Sequence, residues 1–567
     1  MLRTSRFVAF LTPWIPLAVH ALPNFQDKCL SFTPEAYIYN SSRHVLAYVP
    51  AGTNLSLPDN DPTCAQPSQL VSVNICRLAL SIPTTNRSSI SFELWLPEDW
   101  SHRFLVTGNG GIDGCTKYVD LAYTTQHGFA SVGSNNGHNG TTAITMYHNP
   151  DVVTDFAWRS LHTITVAGKK LSTLFYDENY KKSYYLGCSL GGRQGIKAAE
   201  MFPGDFDGIV AGSPALDFNN LQSWRASFFP ITGPANSSAF ISTASWTTLI
   251  HDAVLSQCDG LDGVIDGIIE DPNLCSFRPE ALLCEKNTST NCLTSTQVEM
   301  VREIFSPFYG EDGDPIYPAM QPGSEILAAE NLYAGKPFSY SESWFKYVVY
   351  DPSWNAATFN IHDAAVAEAL NPSNIRTWPD NLTAFQKNGG KILLFHGGQD
   401  NQITSFDTER FYNFFSRATQ ATSDELDDFL RFFRVPGMFH CNSGPGGWVI
   451  GQGGGASAKG VPFASANNVL AAVVQWVENG TAVKDIVGTK FVNDSVDLGV
   501  DFQHRHCKYP SRSTDGDSAE VTPFQHSIAD IVEAGAHDDE TGGDDADVHF
   551  DDGDGQGGDI RPLIDVN

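Results

Sequence analysis

The 567-residue chain is 41% hydrophobic, only 18% charged and strongly acidic, with a formal net charge of −30. Nucleic acid and anionic membrane surfaces are held by clustered lysine and arginine, so this balance argues against both as partners and leaves neutral or sugar-rich substrates unopposed. The apolar content is ample for a large core, and length alone sets no domain count, since elaborated α/β folds run long.

In chain order, residues 1–21 read as a secretory leader: Arg3 and Arg6 give the positive end, residues 7–19 the apolar stretch, and Val19-His20-Ala21 a small-residue cleavage site. Nine Asn-x-Ser/Thr acceptor sites, at Asn40, Asn54, Asn86, Asn139, Asn236, Asn287, Asn381, Asn479 and Asn493, fit an exported eukaryotic glycoprotein. No later stretch reaches the roughly 18 to 20 apolar residues of a membrane helix. The expectation is a secreted, extracellular protein with no membrane partner. In that compartment the eleven cysteines are expected as disulfide halves rather than metal ligands, and no C-x-x-C pair suggests zinc.

Residues 22–100 carry short apolar runs and end in an alternating strand over 90–97. A strand over 104–107 runs into the loop Gly108-Asn109-Gly110-Gly111. Another over 184–186 leads into Gly187-Cys188-Ser189-Leu190-Gly191, with a helix over 192–201 behind it and a short apolar run at 208–212. Further strands, over 391–396 and 432–436, again end in loops. Strands alternating with helices predict an α/β fold with a mainly parallel sheet, whose reactive residues stand at the carboxyl ends of the strands. This catalytic domain is expected over 22–217 and 388–509. Residues 218–387 break the rhythm, carry four cysteines and include Trp224, Trp246, Trp344, Trp354 and Trp378. A βαβ crossover takes roughly 30 residues or somewhat more, so the excess predicts an inserted lid domain. Residues 510–567 hold sixteen acidic and two basic residues, a composition that predicts a disordered tail.

A nucleophile elbow needs small residues two positions before and two after the nucleophile, because the strand-to-helix turn leaves no room for side chains there. Gly187 and Gly191 meet that condition around Ser189. An unassisted serine hydroxyl is a poor nucleophile, so a histidine must take its proton and an acid must orient that histidine. In α/β-hydrolases the chain order is serine, acid, histidine. Asp400, after the strand over 391–396, and His440, after the one over 432–436, follow that order. Asp407 and His396 are weaker alternatives because each lies off the expected loop. Cys188 precedes Ser189 and Cys441 follows His440, so a serine and histidine in hydrogen-bond reach could bring the two cysteines within disulfide range. The oxyanion hole is expected from the Leu190 N–H and from Gly110 or Gly111. In the lid, Asp259, Asp262 and Asp266 by side chain, with Val264 and Ile268 by carbonyl, offer the all-oxygen donor set of Ca²⁺.

With these residues in place, the sequence resembles the fungal tannase and feruloyl esterase family, and looks most like its type B feruloyl esterases. The resemblance runs over roughly residues 25–510. It rests on Gly108-Asn109-Gly110-Gly111, Asn135-Asn136-Gly137-His138-Asn139-Gly140, the stretch 184–195, Asp207-Gly208-Ile209-Val210-Ala211-Gly212, and the pair Asp400 and His440-Cys441. It implies an α/β-hydrolase core, a calcium-bearing lid over the active site with the ion structural, and no organic cofactor. It also implies the bridge Cys188–Cys441 and, by analogy, Cys29–Cys76, Cys64–Cys115, Cys258–Cys275 and Cys284–Cys292. Cys507 falls outside these pairs, and no cysteine follows it. The implied reaction is ester hydrolysis on phenolic esters of plant cell-wall carbohydrate. Feruloyl esterases release hydroxycinnamates such as ferulate, p-coumarate and caffeate, and the loop ending in Cys115 looks more like theirs. A tannase-like galloyl esterase is the alternative. A hydrolase fold kept as a secreted binding protein is the reading from another class, and the intact Ser189, Asp400 and His440 oppose it.

Overall fold

Strand segments that are apolar at nearly every position can be stable only where both faces are covered. In the computed structural model, which describes residues 24–286, 290–455 and 460–512, such segments form the centre of a nine-stranded sheet. The expected leader, the acceptor Asn287 and the acidic tail from residue 513 onward fall outside the described residues. The strands are β1 (Ser42–Val49), β2 (Ile75–Pro83), β3 (Ser89–Pro97), β4 (Arg103–Thr107), β5 (Phe129–Ser134), β6 (Lys182–Cys188), β7 (Gly208–Gly212), β8 (Lys391–Gly397) and β9 (Leu430–Val435). Their order is β1-β2-β3-β5-β4-β6-β7-β8-β9. From β5 to β9 all neighbours are parallel. The pairs β1/β2, β2/β3 and β3/β5 are antiparallel, an edge that the sequence pattern only hinted at through the alternation at 90–97.

Alternation along each strand sends side chains to two separate cores. Tyr185, Ile209, Ile392 and Leu394 face one layer with helices α2 (Ser160–Tyr176), α3 (Leu190–Met201) and α5 (Ser405–Thr419). Tyr184, Leu186, Val210, Leu393 and Phe395 face the other, against α1 (Tyr118–Gln126) and α6 (Val469–Asn479). The sheet is therefore sandwiched between helices, and the carboxyl ends of β4, β6, β8 and β9 emerge along one edge of the sandwich.

Between β7 and β8 the chain adds no strand to this sheet among the described residues. It opens with α4 (Phe218–Thr232) and continues through short helices and a small antiparallel ribbon, Phe308–Tyr309 with Pro315–Tyr317. Its core gathers Trp224, Trp246 and Trp344, each at most 1% exposed, with Phe228, Tyr317 and Tyr333. The same cluster takes in Ile112, Leu190 and Ile403 from loops and helix ends next to the strand termini, so the segment is packed onto the site edge of the sheet. Trp354 and Trp378 are half-buried. The tryptophans of this region are cement for a core. Trp344→Ala is expected to cost about 3–5 kcal/mol and to lower the midpoint of a thermal melt followed by circular dichroism. An unchanged midpoint would mean that the segment does not unfold together with the sheet.

Candidate functional site

The elbow forms where β6 ends and α3 begins. Ser189 sits at φ 64° and ψ −121°, a backbone conformation that costs a non-glycine residue about 1–3 kcal/mol. The two flanking glycines are required by contact rather than by conformation. A Cβ on Gly187 would stand 2.8 Å from the Gly191 carbonyl carbon, and one on Gly191 would stand 3.0 Å from the Asn109 carbonyl oxygen. The tight approach brings the 108–111 loop against the start of α3, and it leaves the Leu190 N–H in the first turn without an intrahelical partner.

The loops after β8 and β9 deliver the other two groups. His440 Nε2 lies 2.9 Å from Ser189 Oγ, and His440 Nδ1 lies 2.7 Å from Asp400 Oδ2. The backbone N–H of His440 donates to Asn401 Oδ1 at 3.2 Å, which sets the height of the imidazole. Ser189 is 8% exposed and Asp400 fully buried, so the row runs from the surface inward. Burial works against an ionised Asp400, yet the imidazoles of His440 and His396 hold its carboxyl well below the usual carboxylate range. Asp400 is therefore anionic at every pH at which imidazoles titrate.

The two alternatives fall elsewhere. Asp407 is buried on α5, with Arg410 at 3.6 Å as its nearest cation, and burial pushes its carboxyl up to about 7. His396, near the end of β8, reaches Asp400 and Thr408 instead of Ser189.

Cys188 and Cys441 form a disulfide, with Cα atoms 6.1 Å apart and 253 residues apart in sequence. It joins the residue before the serine to the residue after the histidine. The other four pairings implied by the resemblance are also present: Cys29–Cys76, Cys64–Cys115, Cys258–Cys275 and Cys284–Cys292. Cys64–Cys115 anchors the far end of the 108–115 loop to the N-terminal strands.

Ser189 and His440 open into a cleft of about 470 Å³ that Gly110 and Gly111 also line. The Gly110 N–H already makes a long contact, 3.4 Å, with Asp113 Oδ1, whereas no acceptor takes the Gly111 N–H among the described residues. The cleft wall adds residues that the sequence did not single out. Lys117 is paired with Asp113 at 3.2 Å, and Tyr340 lies against Gly111, where a Cβ would come within 2.6 Å of its ring. The proximity of Lys117 to the glycine loop was a usable signal. Tyr340 had none, because only tertiary packing brings it across from the insert. None of the five tryptophans of that segment lines this cleft.

Asp259, Asp262, Val264, Asp266 and Ile268 lie on one loop after a short helix. Asp259 accepts from the N–H groups of Asp266 and Gly267, Asp262 from Val264, and Asp266 from Ile268. The donor set is all oxygen, as Ca²⁺ requires. Beside it Glu270 is pushed up to about 8, chiefly by burial and then by Asp262, Asp271 and Asp266 against the opposing Arg434. This concentration of negative charge suits a divalent cation. The carboxylates nonetheless point to backbone amides, and no three acidic, histidine or cysteine side chains converge as a metal group among the described residues.

A helix-flanked parallel sheet with a sharp turn after β6 defines an α/β-hydrolase. The family model described as "Tannase and feruloyl esterase" matches residues 76–526. A "Probable feruloyl esterase B-2" of Aspergillus flavus is 59% identical over 508 residues, which cover 90% of this chain and 98% of the relative. The crystal structure of feruloyl esterase B from Aspergillus oryzae superposes with a TM-score of 0.84 at 44% identity, covering 88% of this chain and 98% of that one. A tannin acyl hydrolase from Aspergillus niger shares the fold, with a TM-score of 0.67 at 19% identity, over 89% of this chain and 95% of its own. The chain belongs to the tannase and feruloyl esterase family and is a carboxylic ester hydrolase. No helix among its described residues is long and apolar enough to cross a membrane.

Replacing both Cys188 and Cys441 by serine removes a tether across more than 250 residues, for which loop-closure entropy predicts a stability loss of about 5–6 kcal/mol. The double variant is expected to melt at lower temperature and to hydrolyse esters with reduced kcat, because the loop bearing His440 is no longer held beside Ser189. Wild-type kcat would show that hydrogen bonds alone hold the loop in place.

Proposed function

We propose that this is a secreted feruloyl esterase that releases hydroxycinnamic acids from plant cell-wall carbohydrate through an acyl-enzyme. The observation that carries the mechanism is the unbroken row from Ser189 Oγ through His440 to Asp400, at 2.9 and 2.7 Å. His440 takes the serine proton as Oγ attacks the ester carbonyl, and Asp400 stabilises the imidazolium that forms. Leu190 N–H and the N–H of Gly111, with Gly110 as the alternative, receive the oxyanion. His440 then protonates the leaving alcohol and activates the water that cleaves the acyl-enzyme. Support for the feruloyl preference comes from the names borne by relatives of 44–59% identity, and the five disulfides support export. The insert serves as a lid over the cleft, with Tyr340 as its contact to the glycine loop.

Asp259, Asp262 and Asp266, with the Val264 and Ile268 carbonyls, would hold Ca²⁺. Bound there, the ion supplies charge compensation to a carboxylate-rich loop and no reaction chemistry. The chain's own part is structural: Cys258–Cys275 closes the ends of this loop while the backbone amides orient the carboxylates.

Ser189→Ala is expected to reduce kcat on methyl ferulate by about 10⁴- to 10⁶-fold while leaving the melt unchanged; retained turnover would refute the role given to Ser189. In the same assay, methyl ferulate should be preferred to methyl gallate, and the reverse order would favour the galloyl reading. EDTA is expected to lower the thermal midpoint, with recovery on adding Ca²⁺, and to leave the initial rate at low temperature intact. An immediate loss of rate without a change in the melt would assign the ion a chemical role instead.

A further inference from the structure

The Asp400 carboxylate accepts three hydrogen bonds and has a second imidazole nitrogen against it, one group more than its place beside a single histidine and a backbone turn explains. Oδ1 takes the amides of Gln402 at 2.8 Å and Ile403 at 2.9 Å. Oδ2 takes His440 Nδ1 at 2.7 Å, and His396 Nε2 stands 3.1 Å from the same oxygen. His396 and Thr408 are both fully buried. His396 Nε2 faces a second acceptor, the Ile403 carbonyl, at 3.0 Å. A nitrogen between two acceptors carries the proton. The other nitrogen, Nδ1, lies 2.7 Å from Thr408 Oγ1, whose hydroxyl has no other hydrogen-bond partner among the described residues. With the proton on Nε2, Nδ1 is left as the acceptor for the Thr408 O–H.

We propose that His396, its tautomer set by Thr408, is a positioning residue of the esterase site that presents Asp400 Oδ2 to His440. This rests on the reading of Ser189, His440 and Asp400 as the reacting groups. Three hydrogen bonds and the His396 Nε2 contact at 3.1 Å bear on the carboxylate, two groups on each oxygen, which opposes both rotation of the group and a tilt of the loop that would carry Oδ2 away from His440. The His396 N–H also offsets the burial of an anion that has no lysine or arginine in direct contact among the described residues. Other charged groups near the row are Asp407 and Arg410 on α5, and Arg225 on α4, which donates through Nε to the Gln402 carbonyl at 2.8 Å. The sign of the pH effect follows. Without the His396 donor, the Asp400 carboxyl rises toward and beyond the ordinary range, and a more basic carboxylate binds the His440 cation more tightly. Both changes move the acid limb of the kcat/KM profile to higher pH.

The test compares His396→Met, His396→Gln and Thr408→Val in the full chain, with kcat, KM, the pH profile on methyl ferulate and the thermal midpoint as readouts. Methionine fills the space without a donor, whereas glutamine places an amide N–H where Nε2 stands. His396→Met should lose about 10- to 100-fold in kcat at unchanged KM, with the acid limb shifted upward. His396→Gln should regain most of that rate and return the limb toward the wild-type position. Thr408→Val should give a smaller loss and a shift of the same sign. Equal losses in the methionine and glutamine variants with the limb unmoved would overturn the proposal and leave His396 a packing residue. If neither His396 variant folds, Thr408→Val decides, and wild-type kcat and limb in that variant would overturn it. Failure of the underlying reading is distinct, since it appears as turnover by Ser189→Ala.

Discussion

The backbone at Ser189 is the constraint on which the rest of the site depends. A serine at φ 64° is unfavourable in isolation, and it persists because β6 on one side and α3 on the other leave the chain no other path. The turn aims the hydroxyl away from the sheet and turns the first amides of α3 toward the same space. Every other requirement is set by that aim. The 108–111 loop must approach α3 without side chains, and the histidine must come to the serine from a strand three positions further along the sheet. The polypeptide meets the second demand with a covalent bond next to each partner, Cys188 to Cys441, so the strained turn and the histidine loop move as one body.

Behind this edge lies a buried carboxylate with no lysine or arginine at contact distance among the described residues. Its anion is sustained by N–H dipoles from two backbone amides and two imidazoles. Such an arrangement is directional where an ion pair with a flexible lysine would not be, and direction is what the acid in an acyl-transfer site must supply. The insert borders the same cleft through Tyr340. Its aromatic core includes Leu190 and Ile403, a residue of the elbow and a neighbour of Asp400, so packing of the insert reaches the row of Ser189, His440 and Asp400.

Much of this was legible beforehand. The parallel strands are too apolar to be anything but sandwiched, and the glycines around Ser189 have no role outside a tight turn. The order of Ser189, Asp400 and His440 along the chain selected the acid and base loops, and the adjacency of Cys188 and Cys441 linked them. The antiparallel edge β1 to β3 was less visible, because one half-exposed strand and a hairpin leave only a weak period of two. Asp407 and His396 could not be ranked by residue type alone. Their separation from the serine is a matter of which way α5 and the end of β8 face.

The sequence by itself determined the fold class, the elbow and the identity of the three groups in the row, because local sterics and strand periodicity act between residues near one another in the chain. Only the tertiary structure decided that His396 stands against Asp400, that Lys117 and Tyr340 border the cleft, and that Trp224, Trp246 and Trp344 of the insert are core. Those relations join segments hundreds of residues apart through packing, and no local pattern records which buried side chain will meet which.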